Sequence, residues 1–239
     1  METIIQFIGL IVIAAFALYI LSGAKQGFIC SCANTLSVAV SWLISAALSP
    51  MLASGLQGSS FHTLVTYMSE VTDSVSSIQL AKTPVSQLTA AQFAQLPEYA
   101  NLPEIYTDRF IENVTNQSLA GTGAETVSQY LNMTIANVTM GIICFVIVYL
   151  VARALFMIII STANYTSPFR VLKHYDSIAG GVMGAIRAYM ILHVVAMFTP
   201  VLLTFVMGTE LSKLISGSEV INYFYMNNSL FEFIRGVIP

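Results

Sequence analysis

The chain has 239 residues, of which 56% are apolar and 9% charged, against about 25% charged in an average soluble domain. That balance weighs against a soluble globular protein and favours a small multi-span membrane protein, since four bilayer helices of roughly 20 residues each would use about a third of the chain. The net charge of −3 comes without a basic run, so nucleic acid is not expected as a partner.

Residues 4–22 carry one polar amide, Gln6, and no charge, enough for roughly 28 Å of helix. A cleaved signal would want Lys or Arg ahead of its apolar core, whereas the only charge there is Glu2, so this stretch is expected to stay as a first span. Spans two, three and four are expected over residues 28–52, 135–160 and 178–207. The resulting fold class is an all-α integral membrane protein with four transmembrane helices in two hairpins. Residues 1–54 form hairpin one, 55–134 an extracytoplasmic helical segment, 135–207 hairpin two and 208–239 an amphipathic interfacial tail.

Orientation follows from the placement of basic residues near helix ends. Lys25 lies in the first hairpin turn and Arg170 and Lys173 in the second, while residues 55–134 hold seven acids against Lys82 and Arg109. Both turns are therefore expected in the cytoplasm, and both termini outside. Within the outer segment, Phe61, Leu64, Val65, Met68 and Val71 trace a stripe after Ser59-Ser60. Pro103 opens a second piece, with Ile105, Phe110, Ile111 and Val114 on one face. The sequons at Asn113 and Asn132 would matter only in a secreting eukaryote. In the tail, Ser216-Gly-Ser-Glu219 and Ser229-Leu-Phe-Glu232 have the capping-box pattern, predicting an interfacial helix pair.

Four features are candidates for function. Gly23 with Gly27, and Gly180 with Gly184, are spaced to let helix backbones approach closely. Asn34, Ser37, Ser41, Ser45 and Ser49 form a polar seam along span two. It reads either as helix packing, with each hydroxyl bonded to its own helix, or as a wet pathway. Arg153 and Arg187 fall inside spans three and four, where a central charge costs about 2.5 to 3.5 kcal/mol on insertion scales. Both are expected within snorkelling reach of the cytoplasmic end, facing anionic lipid headgroups or an anionic solute, with Asp176 as the nearest counter-ion. A parallel repeat relating the two hairpins, ending near Pro50 and Pro200, is a further reading.

Enzyme chemistry is not expected, because no hydrolase, P-loop or zinc-protease motif occurs and His62, His174 and His193 are scattered. Cys30, Cys32 and Cys144 fall in apolar stretches and read as buried small residues, with neither a disulfide framework nor a metal cluster. No cofactor is expected.

Gly23-Ala-Lys-Gln-Gly27-Phe after one apolar helix, Ser167-Pro168-Phe-Arg170 through Asp176 into Gly180-x-x-x-Gly184, and Ser218 through Tyr225-Met-Asn227-Asn228-Ser229-Leu230 resemble the colicin V production protein (CvpA) family. Ser229 stands where proline is commoner in that family. The resemblance covers both hairpins and the tail, and leaves residues 55–134 without a counterpart. It implies a non-enzymatic, four-helix protein of the bacterial inner membrane that supports toxin production or secretion and envelope integrity. Helix association, anionic lipid contacts and secretion or envelope proteins would be its means, with self-association into a homo-oligomer. The alternative is a small oligomeric transporter or channel, in which Arg153 and Arg187 attract an anion and the Ser37–Ser49 seam is the path.

Overall fold

A computed structural model of the chain describes residues 2–70, 78–99, 102–162, 175–205 and 218–238. These residues form helices and connecting turns: α1 (Glu2–Gly55), α2 (Ser60–Glu70), α3 (Ile78–Lys82), α4 (Ala90–Ala94), α5 (Leu96–Tyr99), α6 (Glu104–Thr115), α7 (Val127–Thr162), α8 (Asp176–Ala196), α9 (Thr199–Phe205) and α10 (Glu219–Met226). Two 3-10 turns, Val85–Gln87 and Ser229–Phe233, complete them. Pairing outside helices is limited to an isolated bridge between Pro84 and Thr126.

Three helical stretches are long and apolar enough to cross a membrane: Gly9–Gly55, Val127–Ser161 and Asp176–Phe205. The first is not a straight rod. Gly27 interrupts it at φ 76°, ψ 172°, a region essentially reserved for glycine. Beyond that residue the chain folds back on itself. Asn34 Nδ2 donates to Gln26 Oε1 at 3.4 Å, and a Cβ built on Gly23 would lie 2.9 Å from Ser31 Oγ. In a continuous helix, residues eight apart are separated by roughly 12 Å. The first hairpin turn, expected over Gly23–Gly27, is thus narrower: the helix persists through Gln26 and the reversal is made at one glycine.

The third stretch is broken where Pro200 follows. Met197 and Phe198 donate to the carbonyls of His193 and Val195 as α8 closes. Pro200, in the first turn of α9, has no N–H with which to continue the ladder. The second connection, carrying Arg170 and Lys173, lies outside the described residues, as does Ser216 of the first tail capping box. Two expected caps shift. Ser218, not Ser216, accepts the Ile221 N–H at the start of α10, and Asn228 Oδ1 rather than Ser229 receives the Leu230 N–H. The second tail piece is a short 3-10 helix.

Backbone contacts divide the chain into two units. The first comprises Met1–Leu48, Phe145–Thr199 and Thr209–Leu230; the second comprises Ser49–Cys144, Pro200–Gly208 and Phe231–Pro239. In the first, apolar residues such as Leu18, Leu21, Leu43, Leu155 and Ile159 stand outward and exposed. Small residues face inward instead: Ser31, Ser41 and Ser45 are fully buried. That inversion is what helices in lipid show, where hydrocarbon does not drive apolar side chains inward and close backbone approach holds neighbours together.

The second unit is packed in the ordinary sense. Tyr99, Tyr106, Phe110, Leu96, Leu119, Ile135, Met140 and Ile142 are fully buried. Ile105, Phe110 and Val114 of α6 face inward as their spacing predicts, after a start at Pro103. The α2 stripe differs from expectation. Val65 and Ser69 are buried, Val65 in a cluster with Ala136 and Met140 of α7, while Phe61, Leu64 and Met68 are exposed and Val71 lies outside the described residues.

Candidate functional site

The first unit brings together residues far apart in the chain. Gly23, Gly180 and Gly184 make a contact that tolerates no side chain. A Cβ on Gly23 would fall on the Gly180 carbonyl oxygen and within 3.0 Å of Gly184 Cα. One on Gly184 would fall on the Tyr19 carbonyl, with Ile20 Cα at 3.2 Å. Along α8 from residue 180 to 184, the contacts in the first arm of α1 run backward, from Gly23 to Tyr19. Contacts in the second arm run forward: Ser31 Oγ donates to Gly180 O at 2.9 Å and Thr35 Oγ1 to Met183 O at 2.9 Å. The two arms of α1 are therefore antiparallel along the same helix. Gly27 stands at the reversal, against the Asp176 carboxylate.

Asp176 has a role other than the one expected. It forms no ion pair with Arg187, which lies roughly three turns further along α8. Its Oδ1 accepts the Phe28 N–H at 3.0 Å. A carboxylate from a neighbouring helix thereby satisfies an orphan amide at the start of the second arm, where the helix dipole favours negative charge. Sequence reasoning missed this cap, since Asp176 and Phe28 are joined by nothing but the reversal at Gly27.

The serine seam is a packed one. Ser37, Ser41 and Ser45 are buried, and their hydroxyls donate to the carbonyls of Asn34, Ser37 and Ser41, each at 2.7 Å. Asn34, half-buried, donates to the Cys30 carbonyl at 3.0 Å. Ser49, also buried, belongs to the second unit. Cys30 and Cys32 are partly buried and Cys144 buried, all three as free thiols. Among the described residues, no group of His, Cys, Asp or Glu is arranged to hold a metal.

Arg153 and Arg187 belong to the same unit. Arg153 Nη1 donates to Ser37 Oγ at 2.6 Å, so that hydroxyl is at once an acceptor for the guanidinium and a donor to its own helix. Arg187 is 4% exposed, its guanidinium carbon 5.3 Å from the centre of the Tyr19 ring. Cation–π attraction and the backbone contact at Gly184 hold that ring in place. Thr35, two residues before Ser37, donates to the Met183 carbonyl about one turn before Arg187, which sets the two arginines at a similar level along the unit. The Nε of Arg187 is buried with no hydrogen-bond partner. Among the described residues the only ion pair joins Arg109 to Glu112, in the second unit, and neither Arg153 nor Arg187 is paired with a carboxylate there.

His193 is buried in an aromatic cluster with Trp42, Tyr189 and Phe224. Asn228 Nδ2 donates to its backbone carbonyl at 2.8 Å, which fastens the tail to α8. In the second unit, Asn113 and Asn137 both donate to the Gly236 carbonyl, at 2.9 and 3.1 Å. Asn113 is 2% exposed, so this sequon asparagine serves as an internal donor. A small, partly open pocket lies beside this segment, lined by residues that include Pro50, Ala53, Gly141 and Ile234. Comparison with protein-family models, with curated proteins and with solved structures gives no match.

Proposed function

We propose that the chain is a multi-pass, non-enzymatic protein of the bacterial inner membrane, similar to the colicin V production protein family. On this reading it has four spans in two hairpins, with the arms of α1 as the first pair and α7 with α8–α9 as the second. The turn at Gly27 lies on the cytoplasmic side, and residues 55–134 lie outside. It supports peptide-toxin production or secretion and envelope integrity through helix association and lipid contacts. One observation carries the reading: the stretches that bear the resemblance, Gly23–Phe28 and Asp176–Gly184, are each other's contacts. The outward apolar side chains of the first unit suit lipid or a second copy of the chain. The alternative, a channel along the Ser37–Ser49 seam, has less support, because the Ser41 and Ser45 hydroxyls are buried and satisfied within their own helix.

Rescue of a deletion strain, scored for toxin output and detergent tolerance, tests this. Gly9 has open space where a Cβ would go and Gly184 has none, so Gly9→Leu should rescue and Gly184→Leu should not. Forcing a side chain into a tight contact costs about 1 to 3 kcal/mol, which corresponds to a loss of about tenfold or more in correctly packed protein. Full rescue by Gly184→Leu would remove helix association as the mode of action. A deletion that changes neither trait would remove the toxin and envelope role.

A further inference from the structure

We infer that Arg153 and Arg187 form a binding site for a phosphate-type oxyanion within the first helical unit. Arg187 is 96% withdrawn from solvent and its Nε has no acceptor. Arg153, partly buried, has a hydroxyl as its only hydrogen-bond partner among the described residues. Two guanidinium groups at a similar level of one helical unit repel, and a low-dielectric setting strengthens that repulsion. Buried charges persist when paired, yet no carboxylate pairs with either arginine among the described residues. Of the segments outside the described residues, 163–174 contains no Asp or Glu, while 71–77 contains Asp73 and 206–217 contains Glu210. On this inference a counter-charge from outside the chain completes the arrangement.

The donors select the chemistry. A guanidinium is a planar fork that matches oxyanions bidentately. Tyr19 lies against the Arg187 guanidinium, and the Nε–H of that group is left for an acceptor. The Ser37 hydroxyl holds Arg153 while donating its own proton to Asn34, so it presents a lone pair to the arginine and no acidic group to repel an anion. Tyr19 is eight residues from Gly27 along its arm, roughly 12 Å from the reversal. A lipid phosphate at that end and a free phosphate are thus the two sources of the same chemistry. The site stands on burial and charge, and needs nothing of the toxin-related role.

The test uses thermal unfolding of the purified full chain in neutral detergent. One arm adds inorganic phosphate against chloride of matched ionic strength; the other compares phosphatidylcholine nanodiscs with and without phosphatidylglycerol. The expected result is a saturable rise in Tm in at least one arm, with half-saturation weakened about tenfold or more by Arg153→Gln and by Arg187→Gln. A rise with phosphatidylglycerol alone identifies a lipid headgroup, and a rise with phosphate identifies a free anion. Should Arg187→Gln not fold, the partly exposed Arg153→Gln and the wild-type titrations decide. A wild type flat in both arms overturns the site, as does an unchanged half-saturation in the folded variants.

Discussion

Gly27 is the residue on which the first unit turns, because its φ of 76° and ψ of 172° are closed to side chains and a Cβ would also run into the Asp176 carboxylate. Backbone strain of this kind costs about 1 to 3 kcal/mol. Gly27→Ala should therefore lower the unfolding midpoint in detergent by at least that equivalent. Adding Asp176→Ala separates the two causes. With Asp176→Ala alone as the reference for the lost cap, a double variant still less stable than that single variant shows φ strain beside the clash, and one equal to it shows that the carboxylate alone was the obstacle. The same carboxylate explains why the turn is short, since Asp176 caps Phe28 and no further polar residues are required to satisfy that helix start.

Small side chains organise the second arm of α1. Ser31 and Thr35 donate to carbonyls of α8, whereas Ser41 and Ser45 donate within their own helix. Both uses let backbones approach without leaving a hydroxyl unsatisfied in an apolar setting. Cysteines at positions 41 and 45, in a background lacking the native three, should resist a membrane-impermeant thiol reagent in solubilised protein. Exposing them needs a local opening of a few kcal/mol, so labelling should be at least about a hundredfold slower than for the exposed control Ser118→Cys. Labelling of Ser41→Cys at the control rate would put water along the seam and revive the channel. The α2 stripe teaches the complementary point: of its four described apolar residues, Phe61, Leu64 and Met68 are exposed and Val65 is buried against Ala136 and Met140 of α7.

Across the molecule, the second unit is closed by its own C-terminal segment. Asn113 and Asn137 hold the Gly236 carbonyl, Asn113 also donates to Thr134 Oγ1 at 2.8 Å, and Ile234 packs fully buried. A buried hydrogen bond contributes about 0.5 to 1.5 kcal/mol, and one left half-made costs about 1 to 3. Asn113→Ala should thus raise amide exchange across residues 231–238 by about tenfold or more, and Asn137→Ala by less. Unchanged exchange in both would mean that Ile234 and its apolar neighbours alone hold the segment down.

Composition and local pattern sufficed for the helical class, for the apolar stretches and for the α6 start at Pro103, while the meeting of Gly23 with Gly180 and Gly184 was set by which helices lie side by side. The first three properties arise from residues within a turn or two of one another, or from how apolar a stretch is, and both are written along the chain. The partner of Asp176, the burial of Arg187 against Tyr19, the grip of Arg153 on Ser37 and the double donation to Gly236 belong to tertiary structure. Each joins groups separated by about a hundred residues or more, and pairing at that distance is decided by which helices lie side by side. Periodicity along one helix says which residues share a face. What that face meets depends on the reversal at a single glycine and on the neighbours it brings into reach.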